Sequence, residues 1–311
     1  MPLPSRGLLR LRGRPAPPAA APEYSRLLTA QDALTRLDTL AQAQADQLLS
    51  ACAAALSLYP AWERRDWAMP EAPATLHAHG GQFLELDALA ARLGGVRHVP
   101  GRHSYLHAPS GLTFAALAQD GGTVLLLGGT NSSHSDRQPL TFPAEVKQLQ
   151  ADLLNVMGRV PQLYRSADLL TLLARAELSE FLGAGPLTVA GHSLGGGLAQ
   201  YAGLMNDLPV LAFSPTALGR GVLALLYSLG RLADTPHVLE QVRAYSLDGD
   251  PIPSIGTGWF RSRVVGCHLR LPLAQGVAPA RHATSHGQIY PHLLTHLQRQ
   301  WPDLRSALDV L

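Results

Sequence analysis

A mostly parallel β-sheet with helices on both faces is the fold class that this 311-residue sequence predicts. Three observations predict it. From Thr123 onward, strand-like and helix-like stretches alternate, the pattern of parallel strands joined by helical crossovers. The run Val124-Leu125-Leu126-Leu127 is apolar without interruption, as a strand covered on both sides is. A second apolar strand, Leu187 to Ala190, runs into a glycine-rich turn and then an apolar helix, so the turn sits between two regular elements.

Residues 1–22 contain six prolines, many alanines and no acid, and read as a flexible basic tail. Residues 23–311 read as a single domain, with a helical extension and the first strands in 23–110 and the core that carries the chemistry in 111–311. From Glu23 to Leu58, Leu and Ala recur at helical spacing until Pro60. That predicts one long helix acting as a structural layer. Phe83 to Leu93 predicts a short helix closed by Gly94-Gly95. Strands are expected at Ser104–Ala108, Leu112–Leu117 and Thr123–Leu127. Helices over Pro143–Val156 and Ser166–Leu182 lead to the strand Leu187–Ala190, and a helix from Gly195 to Met205 follows. Then come a strand at Val210–Phe213, helical stretches at Leu218–Gly230 and Pro236–Gln241, and strands at Val242–Leu247 and Val264–Leu271. Helices over Gln288–Gln300 and Asp303–Val310 end the chain.

Composition removes several function classes. Apolar residues make up 46% and charged residues 15%, too apolar and too weakly charged for a disordered protein. A net charge of +2 gives no reason to expect a nucleic-acid partner. Two cysteines, Cys52 and Cys267, exclude a disulfide scaffold and a four-thiolate zinc site, and read as separate buried thiols. No apolar run approaches the roughly 20 residues that span a bilayer. Arg10 interrupts Leu8, Leu9 and Leu11, so no secretory signal peptide is expected. The locations this leaves are the cytoplasm and export by a leaderless route.

The informative stretch is Gly191-His192-Ser193-Leu194-Gly195-Gly196-Gly197 between a buried strand and a helix. It contains G-x-S-x-G in the strand–turn–helix context that gives this motif its meaning. A tight turn holds Ser193 so that its hydroxyl projects from the sheet edge. Side chains at positions 191 or 195 would collide with the neighbouring strand or helix. The N–H of Leu194 opens the new helix, where unpaired donors and the positive dipole end favour an anion. It is therefore expected to be one half of an oxyanion hole. His192 reads as a packing residue.

Such a serine needs an acid and then a histidine later in the chain. After Val242–Leu247 comes Asp248-Gly249-Asp250-Pro251, and Asp250 is preferred to Asp248, which suits the turn itself. His268 lies in an expected strand, and His292 and His296 in an expected helix. That leaves His282 and His286, of which His286 is preferred. The histidine accepts the serine proton and passes it to the leaving group, and the aspartate fixes its tautomer. The second oxyanion donor is expected after Thr123–Leu127, where Gly128-Gly129-Thr130 allows close backbone approach. Thr130 there offers both an N–H and a hydroxyl.

With these residues the sequence resembles the class 3 lipase-like α/β-hydrolases, over about Leu112 to Tyr290. Gly191 to Gly196 reproduces the family's G-H-S-L-G-G. Gly128-Gly129-Thr130 matches its oxyanion segment except that Gly128 stands where the family has Arg. Asp250-Pro251 and the spacing of His286 and Tyr290 also follow the family's pattern. The resemblance implies an α/β-hydrolase fold and hydrolysis of a carboxylic ester of a lipid or (lyso)phospholipid. Ser193, Asp250 and His286 would be catalytic, Leu194 and Thr130 would hold the oxyanion, and no cofactor would be needed. The expected partner is the lipid or ester substrate, with peripheral membrane contact compatible.

Other signals are weaker. The thirteen histidines include close pairs such as His77 and His79, but none lies in a metal-binding motif, so no metal is expected. Leu218 to Leu229 reads as core. Asn131 to Pro143 occupies the lid position of the class 3 lipases and is polar, which favours a partly soluble ester or a lysolipid. Two alternative functions stay open: an exported antibacterial phospholipase effector, and a catalytically dead hydrolase fold used as a binding module.

Overall fold

The chain joins its sheet before it makes its first helix. In the computed structural model, which describes residues 24–59, 81–99, 102–120, 122–130, 132, 142–181, 186–273 and 285–304, Ser25–Leu28 forms strand β1. The single helix expected over Glu23–Leu58 is therefore a strand followed by helices α1 (Ala30–Asp38) and α2 (Gln42–Ser57). Local chemistry explains the difference. The Thr29 hydroxyl accepts the Asp32 N–H at 3.1 Å and donates to the Asp32 carboxylate at 2.8 Å. This side-chain cap starts the helix at Ala30 and no earlier. At α2 the roles are reversed, and the Gln44 side chain inside the helix accepts the N–H of Ala41 before it at 3.1 Å. Helix α2 is buried almost all round from Leu48 to Leu56, as a helix with no polar face must be.

Strands β2 (Gln82–Phe83), β3 (Val96–His98), β4 (Tyr105–His107), β5 (Leu112–Gln119) and β6 (Gly122–Leu127) follow, with helix α3 (Asp87–Leu93) after β2. Alternation along β5 and β6 sends neighbouring side chains to opposite faces. Phe114, Ala116, Leu125 and Leu127 enter one core, and Ala115, Leu117, Val124 and Leu126 enter the other. The run that reads as apolar without a break is thus a strand with two buried sides. Strand β3 carries Arg97 and His98 with little apolar content, and was not expected from the sequence.

Helices α4 (Phe142–Val156) and α5 (Gln162–Phe181) lead to β7 (Leu187–His192), α6 (Leu194–Asn206) and β8 (Val210–Phe213). Helices α7 (Arg220–Ser228) and α8 (Thr235–Gln241) precede β9 (Val242–Leu247), and β10 (Gly266–Leu271) and α9 (Ile289–Gln298) complete the order. Among the described residues the sheet runs β1-β10-β9-β8-β7-β6-β5-β4-β3, with β2 on β5. From β1 to β6 all pairings are parallel, and from β6 to β3 all are antiparallel. Helices α5 and α6 cover one face and α1, α2 and α9 the other. The tail, His282, most of the Asn131–Pro143 segment and most of Asp303–Val310 lie outside the described residues. Cys52 and Cys267 are both free and buried. No helix of the described residues is long and apolar enough to cross a membrane.

Candidate active site

The register brings Leu127 opposite Gly191 and His192 opposite Phe213, so the C-terminal ends of β6, β7 and β8 meet at one edge. Ligand sites in open parallel sheets form at this edge. Here β7 turns sharply into α6 through Ser193, whose φ of 58° and ψ of −127° no helix or strand allows. A non-glycine residue held at positive φ costs about 1–3 kcal/mol and persists only when its surroundings fix it. They do: the Ser193 N–H donates to the Phe213 carbonyl at 3.0 Å, and the Ser193 carbonyl accepts from Thr216 at 3.0 Å and Gly197 at 3.2 Å.

The glycines make the turn sterically feasible. A Cβ on Gly191 would lie 2.8 Å from the Leu127 carbonyl oxygen and closer still to that of Gly195. One on Gly195 would run into the Leu127 carbonyl, and one on Gly196 would come 2.8 Å from the Pro215 side chain. Leu194 is the first residue of α6, so its N–H has no acceptor within the helix.

Asp250 and His286 come together beside this turn. The His286 Nδ1 lies 3.2 Å from an Asp250 carboxylate oxygen, and the Asp250 side chain is fully buried. The other carboxylate oxygen accepts the Ile252 N–H at 3.0 Å. Burial pushes the Asp250 carboxyl up, but the hydrogen bond and charge of His286, with the Ile252 N–H, outweigh burial and hold it below its ordinary value. Asp248 instead is exposed and bonds by its backbone N–H to the Leu271 carbonyl at 2.8 Å. His286 stands in a single 3-10 turn, Ser285–Gly287. Its Nε2 is buried and makes no hydrogen bond with the described residues.

His192 lies under His286. The two rings are 4.4 Å apart and tilted by 36°, and His192 Nε2 is 2.9 Å from the His286 carbonyl oxygen. Burial is the main force lowering the His192 pKa to about 3. The ring is therefore neutral, and its Nε2–H donates to that carbonyl. A packing residue by sequence, His192 also holds the backbone of the histidine above it.

Two residues of the site carry no local sequence signal. The Tyr59 hydroxyl, just beyond α2, donates to the His192 carbonyl at 2.7 Å and accepts the Gly129 N–H at 3.0 Å. It ties the loop after β6 to the Ser193 turn. The residue just past the stretch expected to be a structural layer thus reaches the site. A Cβ on Gly129 would collide with that hydroxyl and sit 2.8 Å from the His192 carbonyl oxygen. The second residue is Asp152 of α4, which accepts the Thr130 hydroxyl at 2.6 Å. Sequence reasoning offered both the N–H and the hydroxyl of Thr130 to an oxyanion. The structure commits the hydroxyl hydrogen to Asp152.

The same loop is braced from behind. Ser132 donates by N–H at 3.1 Å and by hydroxyl at 2.6 Å to the Gly129 carbonyl. Buried Arg102 donates to the carbonyls of Leu58 at 2.9 Å and Ser132 at 3.2 Å. A Cβ on Gly128 would come 2.8 Å from Ser132 Cβ and 2.9 Å from Thr113 Cβ, so no arginine fits where the family pattern has one. Among the described residues no group of His, Cys, Asp and Glu could hold a metal ion.

Burial raises the Asp152 pKa to about 6, against the opposing pull of the Thr130 hydroxyl and the His286 charge. A carboxyl raised by folding favours the fold while protonated. Its contribution is complete below the ordinary carboxylate range and is lost as pH rises through about 6. Asp152→Asn removes this dependence. The thermal stability of the variant relative to the parent is expected to climb between pH 4 and 7, by about 2–3 kcal/mol. Melting curves across that range check it.

No family model matches the chain, and no curated protein matches it either. Among solved structures it is similar to a Rhizomucor miehei lipase–propeptide complex at 12% identity, covering 91% of this chain and 88% of that one with a TM-score of 0.42. It is also similar to a Yarrowia lipolytica lipase at 11% identity, 78% and 82% coverage and a TM-score of 0.41. A Rhizopus microsporus lipase aligns at 13% identity over 70% of each chain, TM-score 0.39. The strand order, parallel from β1 to β6, and the sharp Ser193 turn from β7 into α6 are those of an α/β-hydrolase fold.

Proposed function

We propose that this chain is a serine hydrolase that cleaves a carboxylic ester, of a lipid or (lyso)phospholipid, through an acyl-enzyme on Ser193. The observation that carries the reading is Ser193 held at φ 58° on the strand–helix turn, beside a histidine already paired to a buried aspartate. In this reading the Ser193 Oγ attacks the ester carbonyl carbon and its proton passes to His286 Nε2. Asp250 keeps Nδ1–H in place and steadies the imidazolium. The N–H groups of Leu194 and Thr130 receive the oxyanion. The C–O bond to the alcohol breaks as His286 returns the proton to it, and water, deprotonated by His286, then frees the acid. The unpartnered His286 Nε2 supports the role, because reactive hydrogen bonds are commonly loose before substrate binds.

Turnover of a dissolved p-nitrophenyl ester, a lysophospholipid and a triglyceride emulsion tests the reading. Hydrolysis of at least one ester is expected, with His286→Ala slower by ~10⁴-fold. A folded chain that hydrolyses none would leave the fold as a binding module. The Tyr59 bridge gives a subtler expectation. Tyr59→Phe keeps the ring and removes both hydrogen bonds, freeing the Gly129 peptide next to Thr130. The kcat is expected to fall about 10- to 100-fold with KM little changed, which steady-state kinetics on the dissolved ester would read.

A further inference from the structure

Helix α4 turns an apolar stripe to solvent. Its buried residues Ala144, Gln148, Ala151 and Asn155 fall on one side of the helix at about 100° per residue. Val146, Leu149, Leu153 and Met157 fall on the opposite side, Leu149 being 64% and Leu153 60% exposed. Beyond the catalytic aspartate, the loop 251–263 adds Phe260 and Trp259, the latter 99% exposed. The stripe and the loop are neighbours. A Cβ on Gly256 would lie 3.6 Å from Val156 Cγ1. Leu218 bridges Arg263, while Gly219 donates its N–H to Asn155 at 2.7 Å.

Arginines line this surface. Arg159, Arg220, Arg261 and Arg263 are all exposed. No Asp or Glu occurs between Leu208 and Ala233 or between Pro251 and Pro302. Between Val146 and Ala167 the one carboxylate is Asp152, which is bonded to Thr130. A contiguous exposed apolar patch marks an interaction site. Indole and phenyl rings with arginines around them suit a membrane interface whose headgroups are negative.

We propose that this face, the α4 stripe with the Trp259–Phe260 knob and its arginine rim, docks the protein on an anionic phospholipid surface. The rings would enter the headgroup layer and the guanidinium groups would meet phosphates at its plane. Asp152 lies between Leu149 and Leu153 in sequence on the same helix, and Asp250 opens the same loop as Trp259. Docking would therefore set the site edge against the lipid. In that consequence the proposal rests on the ester-hydrolase reading, but the docking itself does not.

Cosedimentation of the full chain carrying Ser193→Ala with sucrose-loaded vesicles tests it without hydrolysis. The chain is expected to pellet with phosphatidylcholine vesicles containing 30 mol% phosphatidylglycerol (a composition of about one anionic lipid in three), and at least ~10-fold more weakly with phosphatidylcholine alone. Added salt should weaken the anionic binding. Trp259→Ser with Phe260→Ser should lose at least ~10-fold in affinity with an unchanged melting temperature. Arg261→Glu with Arg263→Glu should lose more than ~5-fold per site, the factor that about 1 kcal/mol represents. Equal binding to both vesicles, no binding, or full binding by the two double variants would overturn the proposal. So would a dimer in light scattering that dissociates on Leu149→Glu, which would assign the face to a second copy. Turnover of a dissolved ester by Trp259→Ser should match the parent. If the parent hydrolyses nothing yet pellets, the catalytic reading fails and the docking stands.

Discussion

Ser193→Ala is expected to lower ester kcat by at least ~10⁴-fold while leaving the chain folded. The loss is large because no other hydroxyl occupies the strand–helix turn. Fold should survive because the turn is held through backbone atoms, Ser193 N–H to Phe213 and Ser193 carbonyl to Thr216 and Gly197. Ser193→Gly separates the two roles of the position further. Glycine adopts φ near 58° without a Cβ penalty, so this variant should be as inactive as Ser193→Ala yet more stable than the parent by about 1 kcal/mol. Activity falling as stability rises is the signature of strain kept for function. Parallel kinetics and denaturant melts check both halves, and a Gly variant less stable than the parent would remove strain from the account.

Gly195→Ala is expected to be the most damaging single methyl group near the site. Its Cβ would overlap the carbonyl of Leu127 and lie 3.0 Å from the Gly128 carbonyl carbon. These are backbone atoms of a central strand, so no side-chain rotation relieves the clash. Either β6 and α6 separate or the turn unwinds. A loss of about 4 kcal/mol, at the upper end for point substitutions, or failure to yield folded protein is expected. Turnover should be lost in any soluble fraction. Gly249→Ala is a control: its φ is positive, unlike that of Gly195, but no atom lies within 4 Å of the added Cβ, so the cost should be about 1 kcal/mol. Chemical denaturation of the two variants together would show whether close approach or dihedral preference matters more.

Much of this architecture was legible because local chemistry and tertiary position agree. Val124 to Leu127 is apolar on both alternating faces, and the sheet uses both. The G-H-S-L-G turn declares itself because the glycines are required by backbone contacts only a few residues away. Asp250 was preferred to Asp248 because Pro251 follows it and Asp248 suits the turn, and the structure sets Asp250, not Asp248, beside His286. His286 was separable from the strand and helix histidines by its expected place in a loop.

What stayed illegible depends on distant partners. Ser25–Leu28 belongs to a leucine- and alanine-rich stretch that helical spacing fits well. Only pairing with β10, more than two hundred residues later, makes it a strand. Tyr59 looks like the last aromatic of a helix, and its partner carbonyl is 133 residues away. Asp152 looks like a solvated carboxylate on an amphipathic helix. Burial against the loop after β6, which the helical period does not encode, gives it Thr130 as a partner and a raised pKa. The apolar stripe of α4 was equally ambiguous, since an amphipathic helix is ordinarily read with its leucines inward. Here Ala144, Gln148, Ala151 and Asn155 face inward, and the larger apolar side chains face out.

The central claim is that Ser193 is an activated nucleophile, and labelling with a fluorophosphonate probe tests it most directly. The intact protein and Ser193→Ala would be exposed side by side and their masses and peptides compared. A single adduct on Ser193, absent from the variant and strongly reduced in His286→Ala, is the predicted result. A folded parent chain that remains unmodified in buffer and in detergent micelles, or one modified equally in the Ser193→Ala variant, would contradict it.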